Sequence, residues 1–168
     1  MKDSLIIYYS PSNGNTRRIA NMFKDELDCD IEEITPIEAY KGSYDEIVEL
    51  GKKEAYSKKE RKINPLRSNL ANYKNIIIGS PTWWYSYPPT VRYLLNNYDF
   101  SNKNIVLFTT NGGYPGHIIA DFKKKLASSN IISFLQIEFD NEGGPNLVSD
   151  ISIVESFIKQ IKNKLEEL

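Results

Sequence analysis

Three short runs in this chain are apolar without polar interruption: Leu5-Ile6-Ile7-Tyr8-Tyr9, the isoleucines within Asn75-Ile76-Ile77-Ile78-Gly79, and Ile105-Val106-Leu107-Phe108. A strand with one wet face alternates apolar with polar residues. A run that does not alternate is covered on both faces. Between these runs the period changes to that of a helix, at Ile19, Ala20, Phe23 and Leu27, at Val91, Leu94 and Leu95, and at Ile151, Val154, Phe157, Ile158, Ile161 and Leu165. Ile31-Glu32-Glu33-Ile34 predicts a short second strand, and 131–139 the last one. Further helices are expected over roughly 44–60, 90–98 and 117–128. Five strands in strict β-α alternation predict an α/β fold with one doubly wound parallel sheet and helices on both faces. In such sheets a ligand lies beyond the carboxyl ends of the strands, near the point where strand order reverses. The loops after the first, third and fourth strands are therefore where function is expected.

All three loops are unusual. The first, Ser10-Pro11-Ser12-Asn13-Gly14-Asn15-Thr16, joins a buried strand to a helix. The first N–H groups of a helix have no internal partner, and the helix dipole favours an anion there. Ser10, Ser12 and Thr16 add hydroxyl donors, Asn13 and Asn15 add amides, and Gly14 can take the positive φ that wraps backbone around a ligand. The loop lacks both the nucleoside-triphosphate pattern and the Gly-x-Gly-x-x-Gly of dinucleotide folds. A terminal monophosphate fits it, as would ordinary helix capping. The second loop, Pro81-Thr82-Trp83-Trp84-Tyr85-Ser86-Tyr87-Pro88-Pro89, holds both tryptophans of the chain. It can wall a flat aromatic ligand, or pack on neighbouring helices. The third, Thr109-Thr110-Asn111-Gly112-Gly113-Tyr114-Pro115-Gly116-His117, can let backbone approach a polar ring edge, with Asn111 and the Gly112-Gly113 peptides as candidates, or can be a plain turn before the next helix.

The 168 residues suit one domain spanning 1–168, without repeat, low-complexity segment or linker. A formal net charge of −1 gives no footprint for nucleic acid or a membrane surface. No apolar run is long enough to span a bilayer. The opening Met1-Lys2-Asp3-Ser4 carries no signal-peptide pattern, and the one cysteine, Cys29, rules out an internal disulfide or Cys-rich zinc site. These features predict a cytoplasmic protein. The charged run 52–62 reads as a solvated helix face with i,i+4 pairs.

A phosphate loop, an aromatic wall and a glycine-rich loop on one edge suit a mononucleotide with a large planar ring. Here the chain resembles the flavodoxin-like family. Ser10 to Thr16 is similar to that family's Thr/Ser-x-Thr-Gly-x-Thr loop. Gly79-Ser80-Pro81-Thr82-Trp83-Trp84, followed by Pro88-Pro89-x-Val91-Arg92-x-Leu94, resembles the Gly-x-Pro-x-Trp-Trp segment of one subfamily. Thr109-Thr110-Asn111-Gly112-Gly113 resembles its Thr-Ser-Gly-Gly segment. The resemblance covers nearly the whole chain. It implies a three-layer sandwich with strand order 2-1-3-4-5 and non-covalently bound FMN. It implies phosphate contacts at Ser10, Ser12, Asn13, Gly14, Asn15 and Thr16. Ring and ribityl contacts fall at Pro81, Thr82, Trp83, Trp84 and Tyr85, and ring-edge contacts at Thr110, Asn111, Gly112 and Gly113.

Three features depart from the family pattern. Asn13 stands where a threonine is usual. Trp84-Tyr85-Ser86 lacks the glycine whose peptide, in many electron carriers, turns toward the flavin in the semiquinone. A pI near 5.9 is milder than the acidity of many family members. Two roles stay open: an electron carrier docking on redox partner proteins, and an NAD(P)H-dependent reductase of a quinone or similar small molecule. The last two departures favour the reductase, and the short chain favours the carrier. Monomer and dimer are both compatible. A flavin-free binding module is the rival from another class. A receiver domain is excluded, because Tyr8-Tyr9-Ser10 lacks the acidic cluster it needs. His117, the sole histidine, is either a flavin or substrate contact or a simple helix start. Arg17 or Arg18 could assist the phosphate, though solvation suits both.

Overall fold

The structure is a computed structural model that describes residues 1–168, the side chain of Glu142 excepted. Strands β1 (Ser4–Tyr8), β2 (Asp30–Glu33), β3 (Asn75–Pro81), β4 (Asn104–Asn111) and β5 (Asn130–Glu138) alternate with helices α1 (Asn15–Leu27), α2 (Tyr44–Tyr56), α3 (Pro89–Asn97), α4 (Ile118–Lys125) and α5 (Ile151–Glu166). The five strands form one parallel sheet in the order β2-β1-β3-β4-β5. This is the expected order.

The uninterrupted apolar runs now have a physical account. Leu5, Ile7, Ile76, Ile78, Ile105 and Leu107 face one core with Val91, Leu94, Ile118 and Phe122 of α3 and α4. Ile6, Ile77, Val106 and Phe108 face a second core with Ile19, Phe23, Val154 and Ile158 of α1 and α5. Both faces of the central strands are therefore dry. Phe23 stacks on Phe108 at 5.1 Å between ring centres. A Cβ at Gly79 would lie 2.2 Å from Phe108, so the space a side chain would need is filled by that ring.

At the amino ends of the strands, side chains repeat the backbone pairing. Asn75 donates to Ser4 at 3.2 Å, Asn104 to Asn75 at 2.9 Å, and Asn130 to Asn104 at 3.0 Å. These residues are also partners in the ladder, Ser4 with Asn75, Asn75 with Asn104 and Asn104 with Asn130. A register shift follows at Ile105/Val106, which advances β5 relative to β4.

Helix α2 begins at a capping box in which Ser43 and Glu46 satisfy each other's backbone N–H groups. It ends at Tyr56, before the expected 60, because Lys58 turns left-handed at φ 52 and the chain doubles back. That turn brings Arg61 to Glu54 at 2.6 Å. The charged run is therefore only partly a solvated face, since Glu54 is buried.

Candidate functional site

After Tyr9 donates to the Gly79 carbonyl at 3.1 Å, the chain leaves the sheet and turns through Ser10 to Thr16. Gly14 sits at the N-cap of α1 with φ 77, a conformation that costs other residues about 1–2 kcal/mol. The Ser10 hydroxyl accepts the Arg17 N–H at 3.1 Å. Among the described residues, the backbone N–H groups of Ser12, Asn13, Gly14, Asn15 and Thr16 take no protein acceptor. Five adjacent donors at one helix start are thus left for something else.

The side chains of this loop have other tasks. The Asn13 amide donates to the Gly143 carbonyl at 2.6 Å, and the Asn15 amide to the Gly143 and Gly144 carbonyls at 3.2 and 2.9 Å. They tie the loop that follows β5 over the first loop, and build its wall. Arg17 does not reach inward either. It forms a two-point pair with Glu33 at 2.8 and 3.0 Å, and this carboxylate also accepts from the Tyr8 hydroxyl at 3.0 Å. Thr16 lies inside, its hydroxyl 2.8 Å from that of Thr110.

The second loop is a tight hairpin. Trp83 and Ser86 exchange backbone hydrogen bonds of 2.8 and 3.1 Å, with Trp84 at φ 47 and Tyr85 at φ 68 between them. Such a turn usually carries Asn-Gly; two aromatic residues here store backbone strain. Both indoles have partners in the segment between β2 and β3, which includes α2. Trp83 meets Tyr40 edge-on at 5.2 Å and Tyr9 at 6.2 Å. It also lies close to Gly51, where a Cβ would come within 3.3 Å of it. Trp84 donates its ring N–H to the Val48 carbonyl at 3.2 Å, and the Lys52 ammonium lies 5.2 Å over its ring. Tyr85 is exposed. The Thr82 hydroxyl oxygen is buried and has no protein partner.

Behind Trp83 is a buried ionic cluster. Arg61 stacks on the Tyr40 ring at 3.9 Å, and Tyr40 and Arg61 both bind the Glu54 carboxylate, at 2.5 and 2.6 Å. Burial pushes the Glu54 carboxyl up, but the Tyr40 hydroxyl and the Arg61 guanidinium outweigh it, so it sits below the ordinary carboxylate range. Burial and the Glu54 carboxylate hold the Tyr40 hydroxyl well above its ordinary value.

The third loop closes the edge. The Asn111 side chain accepts the Gly113 N–H at 2.9 Å and donates to the Ile137 carbonyl at 3.3 Å. Gly112 follows Asn111 half-buried, and Gly113 takes φ 92. Gly116, at φ 60, packs so close to Tyr85 that a Cβ would lie 2.3 Å from its carbonyl oxygen. The next N–H, of His117, donates to that same oxygen at 2.8 Å. The His117 ring then meets Asp121 at 2.8 Å, and Asp121 also accepts the Ser86 hydroxyl.

The predicted residues are thus brought to one edge. The Thr16–Thr110 pair links loops one and three, Thr82 N–H to the Thr110 carbonyl at 2.8 Å links two and three, and His117 to Tyr85 links them again. The flavodoxin family model matches residues 3–134. The chain belongs to the flavodoxin family.

Solved structures share the fold of this flavodoxin-family chain. A Bacteroides uniformis protein is 22% identical over 94% of this chain and 97% of its own, with a TM-score of 0.78. The flavoprotein from Lactobacillus acidophilus in complex with FMN is 23% identical over 81% and 93%, with a TM-score of 0.71. Oxidised flavodoxin 2 from Bacillus cereus is 19% identical over 96% and 99%, with a TM-score of 0.58. No curated protein matches the chain.

Two features of this flavodoxin edge escape a reading of the sequence. The Gly143 and Gly144 carbonyls join the first loop; their only signal is the Gly-Gly-Pro of 143–145. Asp121 joins the third; it stands four residues after His117, a spacing that was readable. Among the described residues no cluster of His, Cys, Asp and Glu could hold a metal, and no helix is long and apolar enough to cross a membrane.

Proposed function

We propose that the chain is a single FMN-binding domain, residues 1–168, that moves electrons through a non-covalently held flavin. The observation that carries this is the set of five unclaimed N–H groups at the start of α1, in a loop braced by its neighbours. A helix dipole alone contributes about 0.3–1 kcal/mol to holding an anion, whereas each hydrogen bond to a charged acceptor is worth about 1.5–3 kcal/mol. The N–H groups therefore decide the affinity. In this reading the phosphate is held by the backbone of Ser12 to Thr16 with the hydroxyls of Ser10, Ser12 and Thr16. Asn13 and Asn15 shape the loop through Gly143 and Gly144. Thr82 offers its unpartnered hydroxyl to the ribityl chain. Pro81, Trp83, Trp84 and Tyr85 flank the ring, and Thr110, Asn111, Gly112 and Gly113 meet its polar edge. The bound cofactor supplies the redox chemistry; these residues bind, orient and shield it.

The single cysteine and mild charge fit a cytoplasmic setting. The test is titration of the purified protein with FMN, followed by stepwise reduction under visible absorbance. A bound-flavin spectrum and a 1:1 stoichiometry are expected; no change in the FMN spectrum would overturn the reading.

A second reading is favoured by the 85–86 peptide. Its carbonyl accepts from His117 and its N–H donates to Trp83, so both ends are engaged. A peptide held in this way does not turn freely toward the flavin, which favours two-electron reduction of a quinone by NAD(P)H over one-electron carriage between redox proteins. Accumulation of a one-electron form during reduction would count against it.

A further inference from the structure

We propose that His117 is a catalytic residue, giving a proton to the carbonyl oxygen of a small planar quinone, with Asp121 and Ser86 as its positioning residues. The inference rests on the reductase reading above. His117 starts α4 at the sheet edge where the three loops meet, and its own N–H is fixed to Tyr85. Its side chain is 64% exposed, so an incoming molecule can reach the ring. Nδ1 lies 2.8 Å from Asp121 Oδ2. That same oxygen accepts the Ser86 hydroxyl from the hairpin. An ionised carboxylate only accepts, so Nδ1 carries a hydrogen and Nε2 is left to exchange a proton with a guest. The exposed rings of Tyr85 and Tyr114 stand on the same two loops and offer flat apolar surface to a planar molecule.

The order of the three groups excludes acyl transfer. A nucleophilic serine needs the imidazole between it and the carboxylate. Here the carboxylate lies between, so Ser86 donates its hydrogen bond to Asp121, keeps its proton and has no base to activate it. Both contacts instead fix the tautomer and direction of the imidazole.

The reaction balances with a nicotinamide nucleotide as reductant. A quinone becomes a hydroquinone by gaining two electrons and two protons. Bound FMN, reduced by the nucleotide, would supply both electrons and one proton as a hydride equivalent. The second proton leaves Nε2 of the doubly protonated imidazolium as the quinone O–H bond forms; the ring is left as the neutral Nδ1–H tautomer and takes a proton back from solvent. The groups facing His117 are Asp121 on its own helix, Ser86 and Tyr85 on the hairpin, and, beyond Asp121, Tyr87 with the Arg92 guanidinium 5.2 Å over its ring.

The test compares two oxidants of the FMN-loaded, pre-reduced protein by stopped flow over about pH 5–9, the range in which histidine changes charge. Duroquinone needs protons; ferricyanide takes electrons only. His117→Gln is expected to slow reoxidation by duroquinone by about tenfold or more and to flatten its pH profile, with the ferricyanide rate kept. Asp121→Asn, which takes away the carboxylate that orients Nδ1, is expected to slow reoxidation by duroquinone with the ferricyanide rate kept. Independently of turnover, the ring nitrogen NMR signals of His117 in the FMN-free protein are expected to show the Nδ1–H tautomer. Unchanged duroquinone kinetics, equal slowing with both oxidants, or an Nε2–H tautomer would overturn the assignment. Failure of the protein to take up FMN would overturn the flavin reading instead, while the tautomer still reports on the arrangement of His117.

Discussion

The hydroxyls of Thr16 and Thr110 lie 2.8 Å apart, buried, between two residues 94 positions apart in the chain. Thr16 is in the first turn of α1, and Thr110 is near the end of β4. Their contact fixes the distance between the loop proposed to hold the phosphate and the loop expected to read the ring.

Removing one of these hydroxyls leaves the other buried without a partner, at a cost of about 1–3 kcal/mol, whereas removing both is milder. Thr16→Val and Thr110→Val are each expected to lower apo-protein stability in urea by about 1–2 kcal/mol. The double variant should lose clearly less than the sum, a coupling read from the double-mutant cycle. FMN affinity should fall in all three.

Gly116→Ala tests the seam between the second and third loops. The added methyl would meet the Tyr85 carbonyl at 2.3 Å, and φ 60 is unfavourable for alanine. A loss of about 1–3 kcal/mol is expected. Hydrogen exchange should localise the loosening to 83–86 and 112–117. Uniform exchange across the fold would contradict it.

Tyr85→Gly should do the opposite for the hairpin. A glycine accepts φ 68 without the strain that tyrosine bears. The free energy of unfolding in urea is expected to rise by up to about 1 kcal/mol. A drop would mean that the exposed tyrosine ring contributes more than its backbone costs.

Glu54→Gln breaks a buried pair and strands Arg61, which costs about 3–5 kcal/mol at neutral pH. The Glu54 carboxyl titrates below its ordinary value in the folded protein. Its stabilisation is therefore present above the unfolded value and is lost as pH falls through the folded one. The gap between wild type and variant should narrow toward acid in thermal unfolding. Tyr40 carries the disturbance to Trp83, so indole emission should shift as well.

At the alkaline end, burial pushes the Cys29 thiol from 9.0 up to about 11. The folded state then holds a proton that the unfolded state releases, so stability falls as pH rises from 9 to 11. Cys29→Ala should flatten part of that decline. Alkylation of Cys29 by iodoacetamide should be slow at pH 8 compared with a free thiol.

The sheet was readable because Ile76, Ile77 and Ile78 alternate between two dry cores, and only a doubly covered strand is apolar at every position. The three loops were readable because each breaks that pattern with glycine, hydroxyl or aromatic residues. The inward or outward aim of their side chains was not. Asn13 meets Gly143 across 130 residues, a contact no local pattern encodes. Glu54 hid inside a run of charges, since burial of one carboxylate depends on Arg61 folding back over it. The tryptophans were visible as a pair, but their hold on α2 depends on where Gly51 leaves room.

The asparagine row at the opposite end of the sheet bears on how the chain avoids wrong structures. Parallel strands of similar isoleucine-rich sequence could pair one or two residues out of step with little loss of apolar burial. Any such slip would separate Asn75 from Ser4 and Asn104, and leave amides unpaired in a dry place, at about 1–3 kcal/mol for each group. The row therefore acts on misaligned intermediates, which it makes costly, more than on the finished fold. A loop edge assembled from three separate strands depends on that proofreading carried out a full strand length away.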